Sequence, residues 1–362
     1  MKKFLIFLVS IVVVVCVGLT TYYFMRNNEI ITIQTKEIYC NAGDTIPLKS
    51  LGINIKNANI SKKTNFDYNA GGDEVTKFIK YDEQLNSFVV SQQNAGEVVL
   101  VISTSNKKYA DFTINVHIGN GSASNPYYIF NESDLAKIGS IYRLDKSYLL
   151  MNDIALTSGF EPIGYNSIAS SWSGFNGTFD GQNHTISGLN VVDLQTENVG
   201  LFSSINANGS VKNLTIKNAK ISGEYKTAGA LAGTISGEVD KVIISNAEIT
   251  NKADNSATGV MAGVQNANTV KMSYAENSVI NIGDDQTAVA GAVVGGLFGK
   301  ANQATIQACY TNNVEIKPNA STLVAGGFVG QFEIGTDTGS IQQSYANTTC
   351  SANNFGAFIG KD

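Results

Sequence analysis

The chain has 362 residues, of which 43% are apolar and 15% are charged, and its formal net charge is −5. This length and apolar content suffice for two or three hydrophobic cores and exclude a disordered chain. With 25 basic against 30 acidic residues and no basic run, the sequence lacks the electrostatic footprint of a nucleic-acid-binding protein. The only two histidines, His117 and His184, are far apart and leave no His-pair metal site and no evident histidine-based triad.

Residues 1–26 have the pattern of a membrane anchor. Met1-Lys2-Lys3 precede an apolar run from Phe4 to Phe24, which is long enough to cross a bilayer. We predict a single-pass transmembrane signal anchor in the cell membrane, with a cytoplasmic amino terminus and the bulk of the chain extracellular. A cleaved signal peptide and a lipoprotein acylated at Cys16 are the alternatives, and both lack the small residues that processing requires.

Residues 27–119 contain short alternating apolar runs separated by turn residues, which predicts a β-sandwich. The segments from Ala95 to Ile102 and from Ala110 to Val116 resemble the last hairpin of bacterial immunoglobulin-like domains. Such domains commonly act as spacers. The cysteines outside the anchor form no disulfide framework and are predicted to be free, semi-buried thiols: Cys40, Cys309 and Cys350.

Residues 120–197 have no clean period, and we predict that they form the cap and the first coils of the region that follows. A linker, Gly119-Asn120-Gly121-Ser122, overlaps its start, and the pattern changes after it. The stretch from Asn131 to Gly139 has the pattern of a short capped helix ended by glycine. Short strand-like segments complete the region.

From residue 198 to residue 362 the chain repeats. A five-residue motif, Gly-x-apolar-x-Gly, recurs at intervals of 29, 30, 36, 31 and 30 residues, counted from a degenerate first copy at Gly200. One supersecondary unit that recurs at this spacing indicates a solenoid. The motif glycines are expected to allow tight turns and close packing near the axis. They are Gly229, Gly233, Gly259, Gly263, Gly295, Gly299, Gly326, Gly330, Gly356 and Gly360.

A second segment of each repeat carries an asparagine seven residues after a Val or Ile. Because asparagine tolerates a left-handed backbone, its recurrence predicts a bend between two strands. These residues are Asn218, Asn246, Asn277 and Asn313. No helical window occurs in the repeat, so we predict an all-β fold, a parallel β-helix (β-solenoid) of about five to six coils. A β-propeller is the alternative, although its blades are longer than this repeat.

The cap and the repeats resemble a known family. The repeats resemble the GLUG motif, named for its Gly-Leu-x-Gly core. The cap signatures are Asn125 to Ile129, Asp134-Leu135 with Ile138, Asp153 to Leu156, Pro162 to Gly164 and Phe175 to Leu189. Such repeats occur in bacterial surface proteins and ahead of the catalytic domain of zinc metallopeptidases that cleave immunoglobulin A. The resemblance covers about residues 122 to 362. It implies a right-handed parallel β-helix on a secreted or cell-surface protein, with no settled activity.

The residue pattern argues against an enzyme. Neither histidine lies in the His-Glu-x-x-His motif that the metallopeptidase zinc site requires, so proteolysis is excluded. A glycan-active β-helix needs clustered carboxylates, whereas the one adjacent acidic pair of the repeats, Asp284-Asp285, is predicted to be a solvated turn, with weak cation binding as the alternative. Asp180 and His184 lie in a cap signature and are predicted to be structural. We expect no cofactor and no bound metal.

Three tyrosines occupy one aligned position of the repeat: Tyr274, Tyr310 and Tyr345. If Leu214 and Ile216 set the inward phase, the tyrosines form an outer aromatic strip suited to sugar or protein contact. If Val211 sets the phase without a bulge, they stack inside, which is the arrangement that the sequence favours. The loops after the asparagine corners are predicted to share one face and form a second contact surface: residues 222–228, 250–258, 281–294 and 317–325.

These patterns predict a membrane-anchored, extracellular, adhesin-like binding protein without catalytic activity. Its partners would be the membrane, through the anchor, and a host or cell-surface glycan or protein. The sequence stops inside a sixth copy of the repeat without a polar cap, so one alternative is a structural component that self-associates through the C-terminal coil. A glycan-active β-helix enzyme is the other alternative.

Overall fold

The computed structural model describes most of the chain beyond residue 21, and it forms two compact units, Met1–Tyr127 and Tyr128–Asp362. The described residues are 22–26, 29–33, 37–47, 50, 54–56, 77–82, 84–85, 87–102, 112–166, 171–284, 288–335, 339–352 and 355–362.

Most of the predicted anchor, residues 1–26, lies outside the described residues, so a transmembrane helix over residues 1–21 stays a prediction. Its last five residues, Tyr22–Arg26, form a strand that pairs antiparallel with Glu29–Ile33, which also pairs with Asn54–Lys56. These five residues are therefore in a strand rather than at the end of a helix. Within the described residues, no helix combines the length and the apolar character needed to cross a bilayer.

Two three-stranded sheets of the first unit share one core. The strands of one sheet are Glu37–Asn41, Gly96–Ile102 and Phe112–Gly119. The strands of the other are Thr45–Pro47, Ile79–Asp82 and Ser87–Val90. Side chains from both sheets, among them Phe88, Leu100 and Ile114, pack into a single buried cluster. An immunoglobulin-like topology for this unit remains a proposal.

The second unit is a β-solenoid of about six turns, as predicted, and two of its faces are six-stranded parallel sheets with one strand from each coil. The first face consists of Asn198–Val199, Thr227–Ala228, Ala257–Gly259, Ala292–Gly295, Leu323–Gly326 and Phe355–Gly356. The second face consists of Phe202–Ile205, Ala232–Ile235, Ala262–Asn266, Phe298–Asn302, Val329–Glu333 and Ile359–Lys361.

The third face is a larger sheet of 16 strands. The strands that precede the repeats are Tyr127–Ile129, Ser147–Leu150, Ile154–Ala155, Thr178–Asp180, Thr185–Ser187 and Asn190–Val192. Those of the repeats are Ser210–Lys217, Lys220–Gly223, Glu238–Ser245, Glu248–Asn251, Thr269–Lys271, Tyr274–Ile282, Thr305–Gln307, Tyr310–Pro318, Ser340–Gln342 and Tyr345–Cys350. The parallel pairing of these strands between coils excludes the radial blades of a propeller.

The start of the second unit contains a short helix, Glu132–Leu135, whose N-cap is Asn131. The Oδ1 atom of Asn131 accepts a hydrogen bond of 3.0 Å from the backbone N–H of Asp134. The helix ends earlier than predicted, and Gly139 adopts a positive φ of 89° in the turn beyond it. An antiparallel pair of short strands, Tyr165–Asn166 and Ser171–Trp172, follows.

The motif glycines are required for close packing between coils rather than for a left-handed turn, since none of them has a positive φ. A methyl group on Gly263 would lie 2.5 Å from the carbonyl oxygen of Ala257 and 2.7 Å from the backbone nitrogen of Ala228 in the preceding coil. The apolar residue at the centre of the motif is fully buried in the first four copies, as in Leu231 and Leu297, and half-buried in the last, at Phe358. The backbones of neighbouring coils therefore approach one another closely at these glycines.

The four corner asparagines adopt the predicted left-handed conformation, with φ values of 55°, 55°, 48° and 55° along the chain. Their side chains bond between coils: Nδ2 of Asn246 donates to Oδ1 of Asn218 over 3.3 Å, and Nδ2 of Asn313 donates to Oδ1 of Asn277 over 2.9 Å. The next strand, Tyr345–Cys350, is one residue shorter at this corner. Asn347 pairs with Asn312 and Thr348 pairs with Val314, so no residue of that strand lies opposite Asn313.

Candidate binding surface

Tyr274, Tyr310 and Tyr345 form a ladder on the outer surface of the third face. The ring centroids of the first two are 4.3 Å apart with planes inclined by 9°, and those of the last two are 4.8 Å apart with planes inclined by 3°. Tyr345 is 53% exposed, and the other two are half-buried. We call these three residues the tyrosine ladder. Stacking inside the solenoid, the arrangement favoured from the sequence, was therefore wrong.

A second left-handed position explains the outward direction of the ladder. Val211 and Leu214 both point inward, and Asn213 between them has a φ of 52°. At this residue the alternation of inward and outward side chains along the strand shifts by one position. Leu214 therefore points inward and the next position, where the later coils carry the tyrosines, points outward. The position recurs in every repeat with a different residue type, so no sequence signal marks it: Asn213, Lys241, Met272, Ala308 and Gln343.

The ladder presents ring edges and hydroxyl groups, because the ring faces cover one another. Burial, with smaller contributions from Tyr274, Tyr345 and Glu276, raises the pKa of Tyr310 to about 12. Polar side chains stand beside the ladder, and the Nδ2 atom of Asn347 donates to Oδ1 of Asn312 over 3.1 Å. The strip is thus suited to a partner that accepts hydrogen bonds and packs against aromatic edges.

The loops after the asparagine corners lie at one corner of the solenoid, as predicted. The residues that begin these loops are stacked in register, and so are the residues that end them. A groove of about 820 Å³ lies on these loops and on the matching segment of the cap. Its lining residues, which we call the loop groove, are Asp193, Leu194, Gln195, Thr196, Glu197, Glu224 and Lys252.

Two of the four charged side chains that line the loop groove, Glu197 and Lys252, form ion pairs. Lys252 forms an ion pair of 3.0 Å with Asp284, and this pair, reinforced by Asp193 and Glu224, raises the pKa of the lysine. Lys226 pairs with Glu197. Of the predicted acidic pair, Asp284 is thus held by an ammonium group, and Asp285 lies outside the described residues.

The cap carboxylate of Asp180 does not contact His184. It accepts hydrogen bonds of 3.0 Å from Nδ2 of Asn213 and from the backbone N–H of Gln182. Burial raises the pKa of Asp180, but these bonds and the charge of Lys212 outweigh burial and lower it. His184 instead contacts Asp153, with 3.1 Å between Nδ1 and Oδ1. These contacts join neighbouring segments of the cap to the first coil.

No group of three or more His, Cys, Asp or Glu side chains within the described residues could hold a metal ion. Of the thiols, Cys40 and Cys309 are buried, Cys350 is half-buried, and all three are free. Burial raises the pKa of Cys309 to about 11 and that of Cys40 to about 12, which makes both thiols unreactive.

The chain is similar to two named proteins. It is 37% identical over 131 residues to "Halomucin" of Haloquadratum walsbyi, a match that covers 33% of this chain and 1% of that protein. It is 31% identical over 135 residues to a "Putative Gly-rich membrane protein" of Evansella cellulosilytica, covering 35% of this chain and 15% of that protein. The chain thus spans only a small part of these relatives. No family model matches it.

A solved structure shares the fold. The "putative immunoglobulin A1 protease" chain from Bacteroides ovatus superposes with a TM-score of 0.51 at 20% sequence identity. The superposition covers 67% of this chain and 73% of that one. At this identity the likeness extends to the fold alone.

Proposed function

We propose that the chain is a non-catalytic, adhesin-like binding protein of the cell surface. The predicted anchor holds it to the membrane, the first unit acts as an immunoglobulin-like spacer, and the GLUG-type solenoid carries the contact surfaces. Its similarity to a halomucin and to a Gly-rich membrane protein supports a surface location.

The exposed tyrosine ladder is the observation that carries the binding role. Tyrosine supplies a large contact area at a low cost in conformational entropy, together with a hydroxyl that bonds to polar partners. A solenoid repeats the same side chain at one position of successive coils, so the ladder runs along the axis and suits an extended glycan or protein segment. The loop groove adds polar groups at another corner of the same unit.

The test is an array of glycans and matrix proteins probed with the purified full chain. We expect specific binding that weakens at least tenfold when all three ladder residues are changed to Phe, because these changes keep the ring stack and remove only the hydroxyl groups. The matched control is Val192→Ala, at an exposed residue of the same sheet. If the chain bound nothing on the array, or if the Phe variant bound as tightly as the original chain, the ladder would not be the binding surface. End-to-end oligomers of the free chain would favour the assembly alternative.

A further inference from the structure

Exposed asparagines near the start of the solenoid lie in Asn-x-Ser/Thr sequons. Asn176-Gly177-Thr178 and Asn208-Gly209-Ser210 occupy the same turn of neighbouring coils, because Thr178 pairs in register with Ser210. A third sequon, Asn183-His184-Thr185, lies in the next turn of the chain. All three asparagines are exposed. Such a triplet on the surface of an exported protein is the acceptor for N-linked glycosylation.

The side-chain amides of these residues differ from those of the other solenoid sequons. Within the described part of the chain, Asn183 and Asn208 donate no side-chain hydrogen bond, and the Nδ2 atom of Asn176 makes only a long contact of 3.4 Å with the carbonyl of Gly174. Four further asparagines of this unit lie in sequons, but their side-chain amides are engaged. Oδ1 of Asn131 accepts from the backbone N–H of Asp134 at the helix cap. The Nδ2 atoms of the other three donate to Asp180, to the carbonyl of Asp284 and to Asn312: Asn213, Asn319 and Asn347.

The turn geometry keeps Asn208 at the surface. A methyl group on Gly209 would lie 2.5 Å from the carbonyl oxygen of Phe175 and 2.8 Å from the side chain of Ile205, so the backbone at this residue packs against the preceding coil. The neighbouring asparagine must therefore project away from the coil stack. A large substituent on its amide would extend into solvent without separating any pair of strands.

We propose that Asn176, Asn183 and Asn208 are N-glycosylation sites, a modification that rests on the extracellular location proposed above. In the reaction, an Nδ2 atom attacks the anomeric carbon of a pyrophosphate-activated oligosaccharide, supplied with its transferase by the export pathway. The C–O bond to the pyrophosphate breaks, a C–N bond forms, and the amide proton leaves to a base of the transferase. The pyrophosphate carries away the electron pair of the broken bond.

The experiment is peptide mass spectrometry of the full chain isolated from the cells that naturally express it. Trypsin cleaves after Lys146 and Lys212 and at no residue between them, so one peptide, 147–212, contains all three sites, and Asn213 falls in the next peptide. We expect glycan-bearing forms of peptide 147–212 and an unmodified peptide 213–217. Recovery of peptide 147–212 only at its unmodified mass would overturn the proposal.

Single variants assign the sites. Asn208→Gln removes the acceptor asparagine, whereas Ser210→Ala keeps the asparagine and removes the sequon. Each variant should therefore lose one glycan mass. A modification that persists in Ser210→Ala would contradict N-linked transfer at Asn208. Protease treatment of intact cells tests surface location separately, so an exposed but unmodified chain would reject the glycosylation and leave the proposed function standing.

Discussion

Tyr274 and Tyr310 stack face to face across neighbouring coils, with 4.3 Å between their ring centroids. Tyr345 continues the stack on the other side of Tyr310. The central ring thus has an aromatic partner on both faces, and this makes Tyr310 the residue on which the stability of the ladder depends most.

Replacing the central ring should destabilise the solenoid. We expect Tyr310→Ala to lower the free energy of unfolding by about 2 kcal/mol, since each aromatic pair contributes about 1 kcal/mol beyond its buried area. Tyr310→Phe keeps both ring contacts and should change it by less than about 0.5 kcal/mol at neutral pH. Urea unfolding followed by circular dichroism measures both. Equal losses in the two variants would show that the hydroxyl, rather than the stack, is responsible.

Alkaline pH should weaken the fold through Tyr310. Its pKa is raised from 10.0 to about 12, so the folded state holds the phenolic proton more tightly than the unfolded chain does. The resulting stabilisation is complete below pH 10 and is lost as the pH rises toward 12. Tyr310→Phe should therefore flatten the decline of the melting temperature over this range. An unchanged decline would assign the alkaline loss to other groups, such as Tyr225, whose pKa is also about 12.

A buried asparagine joins two loops of the first and second repeats. Asn251 has no exposed surface, and its side chain bonds to the backbone N–H and carbonyl of Tyr225 and to the hydroxyl of Thr258 over 3.0, 2.9 and 2.9 Å. Asn251→Ala should cost about 3 kcal/mol, because it leaves buried backbone groups without partners. Asn190→Ala, at an exposed strand residue, is the control and should have little effect. A loss below about 1 kcal/mol would contradict this role.

Met272 occupies the second left-handed position with a φ of 49° and is 44% exposed. A side chain other than Gly or Asn is strained there by about 1 kcal/mol. Met272→Asn should therefore stabilise the chain by about 1 kcal/mol, whereas Met272→Ile, which adds a branch at Cβ, should destabilise it. Calorimetric melting temperatures of the two variants should move in opposite directions, and a shift in the same direction would argue against strain at this residue.

The parts of the fold that were predictable are those where few residue types satisfy the geometry. Glycine is needed where backbones of adjacent coils touch, as at Gly263, and asparagine is favoured at a left-handed corner, as at Asn218, so both recur visibly. The second left-handed position is occupied by residues as different as Lys241 and Ala308, because the pairing of the flanking strands fixes the backbone conformation there. Its effect on strand phase could not be read from composition.

The candidate surface was predictable in its members but not in its direction. Alignment of the repeats brought Tyr274, Tyr310 and Tyr345 to one position, and the structure stacks them. Their exposure depends on the reversal at Met272 and its counterparts, which sequence alone did not show. The loop groove was anticipated only as a corner with loops of variable length, since its lining residues come from segments that are distant in the chain.

The loops at this corner differ in length, although the strands on either side stay in register from coil to coil. Evolution can therefore lengthen or rewrite one loop, as in residues 281–294, while the pairing of every strand is preserved. The sequences of the loops can therefore change faster than the sequences of the strands that support them. Proteins built on this architecture should share coil geometry long after their loops have ceased to resemble one another.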